Sequence, residues 1–299
     1  MKSRHERFVF ASSITRTVTV ALVVALGCIV APTTIRAQEP DVLTPDQSSA
    51  KAKQILQQAI AGLGGQAYLN VKDLTLEARL GQFDHSGQLR GYAKILDITQ
   101  PPLKDRTENL PKRNIITVRN GDKGWDLDRG GVSEATITDM STYQEDIKKD
   151  IDNILRHRIK ESGMIFRYAG LDVVDYQECD WVELVDSDNR TFRIAIARST
   201  HLPVRKVVDT RDANTRMRSE EIEYYSNYHP INGIQSAFQI TRERNGIKIY
   251  QVFVDKFEYN TGVSDSFFTK ESLDDRWAKV GKKEKPSKEK PSDKNNDKN

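Results

Sequence analysis

Lys112-Arg-Asn-Ile-Ile-Thr-Val-Arg-Asn-Gly-Asp-Lys-Gly-Trp-Asp-Leu127 is the stretch whose reading decides the fold. Ile115, Ile116, Thr117 and Val118 are β-branched and suit a pleated, half-buried surface. Asn120-Gly121 then supplies the positive φ of a tight turn, a strong short-range hairpin signal. Side chains alternate along a strand, so on the return Trp125 and Leu127 share one face and Asp126 and Asp128 the other. A large aromatic just past the turn predicts one wall of a concave sheet.

Period two continues on both sides of this hairpin. Leu74, Leu76, Ala78 and Leu80 alternate with Thr75, Glu77 and Arg79, and Asp84-His85-Ser86-Gly87 turns the chain back along 88–98. Pro101-Pro102 interrupts the edge, and 103–110 reads as a polar, exposed strand. Past Gly170, strands are expected over 173–178, 181–185, 192–197, 204–209, 217–228, 235–244 and 247–259, with Asn245-Gly246 joining the last two. About a dozen strands in this arrangement make an antiparallel meander with one face in a core and the other in water.

Two helices interrupt the pattern. Thr44-Pro45-Asp46-Gln47 has the hydroxyl, N1 proline and N3 glutamine of a capping box. Ala52, Ile55, Leu56, Ala59, Ile60 and Leu63 then form one apolar stripe, and Gly64-Gly65 ends the helix. The second helix is expected over 143–159, capped by Ser141 and Gln144, with Tyr143, Ile147, Ile151, Ile154, Leu155 and Ile159 on one side. Its other side is charged, so the stripe must lie against something apolar, and the concave sheet is the available surface. Leu76, Leu80, Ile116, Val118, Trp125 and Ile240 are the sheet residues expected beneath it, with Tyr224 and Phe238 on the long closing strands. The fold class is α+β: a curved antiparallel sheet with helices covering its concave face.

The formal charge of +3 misleads unless it is located. The first 37 residues carry a net +4 and the last 21 another +4, leaving −5 for the stretch between them. A phosphate-binding groove needs a basic face on the domain itself, which excludes nucleic acid as the expected partner. Residues 1–16 are polar and basic and 18–30 apolar, too short for a bilayer but suited to a secretory signal. Cleavage is expected after Ile35-Arg36-Ala37, giving an exported, periplasmic protein beginning at Gln38. The alternative reads Leu26-Gly27-Cys28 as a lipobox that anchors the chain through Cys28. With the signal removed, Cys179 has no disulfide partner. One domain is expected over 38–278, followed by a Lys-rich, disordered tail over 279–299.

No catalytic constellation emerges, and an enzyme is not expected. His85, His157, His201 and His229 are isolated, without the spacing of a zinc site. Ala61-Gly-Leu-Gly-Gly65 follows a helix instead of opening one, so it fails as a nucleotide loop. Asp209, Asp212 and Asn214 lack the glycine and closing glutamate of a calcium loop. Neither a metal nor a cofactor is expected.

The order of elements resembles the LolA-like outer-membrane lipoprotein-sorting superfamily, in particular its exported members. Two local signatures carry the resemblance: Asn120-Gly-Asp-Lys-Gly-Trp125, and Tyr228-His-Pro-Ile-Asn-Gly-Ile234 followed by a strand pair and Val263-Ser-Asp-Ser-Phe-Phe268. It spans about residues 45–273. The resemblance implies an unclosed half-barrel with a cavity for acyl chains, and a non-enzymatic carrier of a lipid or acylated lipoprotein. An envelope-sensing module that engages a membrane protein is the alternative on the same fold. Family carriers also latch the lid with a strand arginine, which the sequence assigns to no position.

Overall fold

The computed structural model describes residues 42–211 and 217–283. The expected signal and its cleavage site, Cys28, Asp212, Asn214 and everything past 283 lie outside those residues. Thirteen antiparallel strands form one sheet among the described residues. They are β1 (Leu74–Phe83), β2 (Leu89–Gln100), β3 (Lys104–Leu110), β4 (Ile116–Asn120), β5 (Lys123–Asp128) and β6 (Gly131–Glu134) in the first half. The second half holds β7 (Ile165–Val174), β8 (Gln177–Val185), β9 (Thr191–Ala197), β10 (Pro203–Arg211), β11 (Arg218–Ile231), β12 (Ile234–Arg244) and β13 (Ile247–Tyr259).

The spatial order β6-β5-β4-β3-β2-β1-β13-β12-β11-β10-β9-β8-β7 is two meanders joined at one seam. That seam is β1 against β13, with Leu74 opposite Tyr259 and Leu80 opposite Val252. The sheet does not close into a barrel, and β6 and β7 are its two edges. The chain travels from one edge to the other through α3 (Ile137–Lys149), α4 (Ile151–Arg156) and a 3-10 turn at Arg158–Lys160.

Helix α1 (Pro45–Leu63) forms as its capping box requires: Thr44 N–H donates to Gln47 Oε1 at 2.9 Å, and Gln47 N–H donates back to Thr44 Oγ1 at 3.3 Å. Its stripe packs with Ile154 and Leu155 of α4 on Phe166, Leu184, Phe192 and Ile194, the main core. A short α2 (Gln66–Leu69) follows, burying Tyr68.

Three expectations are corrected. The single helix over 143–159 is two. Thr136 and Asp139, not Ser141 and Gln144, form the capping box that starts α3, and the backbone extends at Asp150 (ψ 131°) before α4. Asp150 then caps α4 by accepting from the Asn153 N–H at 2.7 Å. The strand read as exposed, β3, buries Arg106 and Glu108 to 5% and 4% exposure, because they pair with each other at 2.6 Å. Arg106 also donates to the Phe267 carbonyl and the Ser272 hydroxyl. Those two residues belong to the third correction. A 3-10 turn (Asp265–Phe268) and α5 (Lys270–Lys283) carry regular structure past the expected boundary at 278. Phe268 and Leu273, both fully buried, pack on Leu96, Ile98, Ile116, Val118 and Leu127. The first meander is therefore covered on this second face as well.

Candidate functional site

A cavity of about 600 Å³ lies between the middle of the sheet and the α3–α4 connection. Period two places Leu76 and Leu80 of β1, Ile95 of β2, Ile240 of β12 and Val252 of β13 on its floor. Tyr143 and Ile147 of α3 and Ile151 of α4 form the roof. Its size falls within the range of small-ligand sites, which are concave and mostly apolar with a few placed polar groups.

The sequence-expected residues divide. Leu76, Leu80, Tyr143, Ile147, Ile151 and Ile240 line the cavity together. Ile154 instead sits 1% exposed in the core beneath α1. Ile116, Val118 and Trp125 face the other way: β3 turns Asp105 and Thr107 to the cavity and Arg106 and Glu108 away, and Val118 and Ile116 pair with the latter two. Trp125 therefore packs on the α5 side, not on a concave wall. Tyr224 alternates with the cavity residues Glu223 and Tyr225, so it faces outward, where it donates to Glu243 at 3.2 Å beneath Arg205. Phe238 lies outside the lining, edge-on to His229 and to Phe257.

Polar groups that sequence reasoning missed line the same space in three clusters. Asp97 and Asp105 face it from neighbouring strands, and the Thr107 hydroxyl donates to Asp97 at 2.9 Å. Desolvation raises both carboxyls, and Asp97 pushes Asp105 further up. The second cluster centres on Glu223. Lys206 reaches it at 2.5 Å, Arg242 pairs with it, and the Tyr225 hydroxyl donates to it. Burial alone would raise Glu223, but Lys206 and then Arg242 hold it far below the usual carboxylate range. This cluster grips the roof: Lys206 donates to the Lys149 carbonyl, and Arg242 stands 3.5 Å from Asp146. Arg242 of β12 therefore contacts α3. At the third cluster Tyr68 donates to Asp152 at 2.7 Å, and Arg156 stacks 4.3 Å above the Tyr68 ring. Desolvation first and Asp152 second raise Asp150, between α3 and α4, to about 6. The sequence did carry a signal: Glu221 and Glu223 alternate with Ile222 and Tyr224 at the centre of a long strand, where charge demands a partner.

No family model matches the chain, and no curated protein does. Solved structures do. A DUF1329 family protein from Desulfovibrio piger aligns at TM-score 0.53 and 15% identity, over 74% of this chain and 98% of that one. A domain from Vibrio parahaemolyticus assigned to outer-membrane lipoprotein sorting aligns at TM-score 0.53 and 12% identity, over 76% and 99%. A LolA-superfamily protein from Nitrosomonas europaea aligns at 0.48 and 13%, over 74% and 99%. At such identities the likeness concerns the backbone alone: this chain shares its fold, an open curved antiparallel sheet with helices, with the Desulfovibrio piger and Vibrio parahaemolyticus structures.

Proposed function

We propose that this protein is a periplasmic, non-enzymatic carrier that shields one acyl chain of a lipid or lipoprotein beneath α3 and α4. The observation that supports this reading is the cavity itself: about 600 Å³ with an apolar floor under a roof of two short helices. Burial is worth about 0.8 kcal/mol per methylene. Ten methylenes supply roughly 8 kcal/mol before ordering costs, or at most about micromolar affinity. That is tight enough to carry a guest and loose enough to release it.

Ile151→Asp tests the reading, because it puts an unpaired charge on the roof. Loss of binding of a fluorescent acyl ester with an unchanged far-ultraviolet circular dichroism spectrum is expected. A wild type that binds no such probe, or a mutant that binds it equally well, overturns the proposal. A second reading, docking of an envelope protein, has its own support in β7. This edge strand shows Leu171 and Val173 51% and 64% exposed. Ser48 caps its first half by accepting from the Tyr168 N–H at 2.9 Å, while no strand pairs with the outer side of the second half among the described residues, where the Val173 N–H donates to Asp172 Oδ1 at 2.8 Å. Val173→Lys should abolish any such docking in a pull-down and leave acyl binding intact.

A further inference from the structure

We infer that the rim of the sheet formed by the turns after β1, β3, β5 and β12 docks on a bilayer surface rich in anionic phospholipid. This goes beyond the carrier reading and stands on different residues. Antiparallel pairing puts these turns at one end of the sheet: Phe83 pairs with Leu89, Lys94 with Leu110, Asp128 with Gly131 and Arg244 with Ile247. Apolar side chains stand out along it. Tyr92 is 61% exposed and lies with Leu89 over Gly81, where an added Cβ would stand 2.9 Å from the Tyr92 ring. Exposed Ile247 adjoins them across the neighbouring hairpin, 3.7 Å from the Cβ position of Gly87. Ile115, in the turn after β3, and Trp277 of α5, beside Gly131, extend the row. Arg276 fastens α5 there by donating to the Lys112 and Arg113 carbonyls at 2.7 and 3.0 Å.

Charge names the partner. Arg90, Lys112, Arg113 and Arg129 stand exposed on these turns. Against them are Asp84 and Asp128, each of which accepts from a backbone N–H of its own turn. On α5, Arg276 and Lys279 flank Trp277 against Asp275, and the sequence carries a net +4 from Lys279 on. The stretch 38–278 is net −5, so this surplus of cations is local to the rim.

Tyrosine and tryptophan beside lysine and arginine suit a membrane interface, where the rings sit at headgroup level and the cations meet lipid phosphates. The apolar side chains are spread along a row of turns instead of gathered in one patch. A fluid bilayer accommodates such a row, whereas a protein interface needs a packed, desolvated centre. The placement also joins the cavity to the lipid: with the rim docked, Leu80 of the floor lies about 10 Å along β1 from the turn.

The test is co-sedimentation of the chain from Gln38 onward, which keeps every described residue, with lipid vesicles. One set is phosphatidylglycerol with phosphatidylethanolamine, the other phosphatidylcholine alone. Binding is expected to the first only, and high salt should release it, because screening shortens the reach of the rim charges. Arg90→Gln with Arg129→Gln should lower partitioning about twentyfold, at roughly fivefold per cation. Leu89→Ser with Tyr92→Ser should lower it about tenfold. Leu103→Ser, in the turn after β2 on the opposite rim, should leave it unchanged. Brominated phosphatidylglycerol should quench tryptophan emission, and Trp277→Phe should abolish that quenching, which separates contact with lipid from attraction to any polyanion. All variants should keep the wild-type circular dichroism. No binding to the anionic vesicles, equal binding to both sets, an Arg90→Gln/Arg129→Gln protein that binds like wild type, or quenching that survives Trp277→Phe overturns the inference. None of these outcomes involves the fluorescent acyl ester, whose binding tests the carrier reading separately.

Discussion

At the residue scale, Lys206 and Glu223 show how a charged cluster holds a roof in place. Lys206 is 1% exposed, so its ammonium depends wholly on the Glu223 carboxylate and the Lys149 carbonyl. Lys206→Met keeps the stem but strips that carbonyl and half of the counter-charge of Glu223. A loss of about 3 kcal/mol in urea unfolding is expected, at the low end for a broken buried pair because Arg242 remains. Two carboxyls of this region act oppositely with pH. Glu223 is depressed in the folded state, so its contribution is complete above the unfolded value of about 4.3 and fades as acid protonates it. Asp150 is raised to about 6, so its ionised form weighs against folding above that pH, and the penalty is relieved as pH falls to about 4. Asn is an equally good N-cap. Asp150→Asn should therefore unfold at higher urea than wild type at about pH 7.5, and that advantage should vanish by about pH 4. Glu223 on a long strand signals that a partner is needed, but the sequence does not say that Lys206 and Arg242 supply it, because a charged strand residue looks the same whether it is solvated or neutralised across a sheet.

At the element scale, caps, stripes and hairpins were legible and faces were not. Thr44 to Gln47, the α1 stripe and the Asn-Gly turns all formed as their local chemistry predicts. Trp125 was assigned to the wrong side because alternation separates two faces without saying which is concave. Here α3 lies toward one face of the first meander and α5 covers the other, so both faces carry apolar residues. Helix α5 lies in a segment whose polarity outweighs the fully buried Leu273. Phe268→Ala in the preceding turn should cost about 4 kcal/mol, as for a fully buried aromatic, whereas ending the chain after Lys283 should leave the melting temperature unchanged. Helix α3 contains no buried residue, unlike α1 and α4. Few buried contacts mean a low local opening free energy. Its amides should exchange with deuterium well before those of β1 and β13, and equal protection would show that the roof does not open.

At the scale of the whole molecule, the strand order resolves what local signals could not. Each strand except β1 and β13 pairs only with a sequence neighbour or stands at an edge, which short turns announce. The β1–β13 seam joins residues as far apart as Leu74 and Tyr259, and no local pattern reports such a pairing. Both halves share that seam, so they should unfold together. Single-tryptophan variants retaining Trp125 in the first meander or Trp181 in the second should report the same urea midpoint. The roof, finally, is fastened to the two outermost strands, one at each side of an open sheet. It behaves as a bowstring, not a hinged door. Spreading the limbs of the bow draws the string toward the floor and shrinks the space beneath it; curling them slackens the string and enlarges that space. Cavity volume and sheet curvature are then one variable, so a contact that flattens the sheet at an edge strand changes the space beneath the roof from a distance.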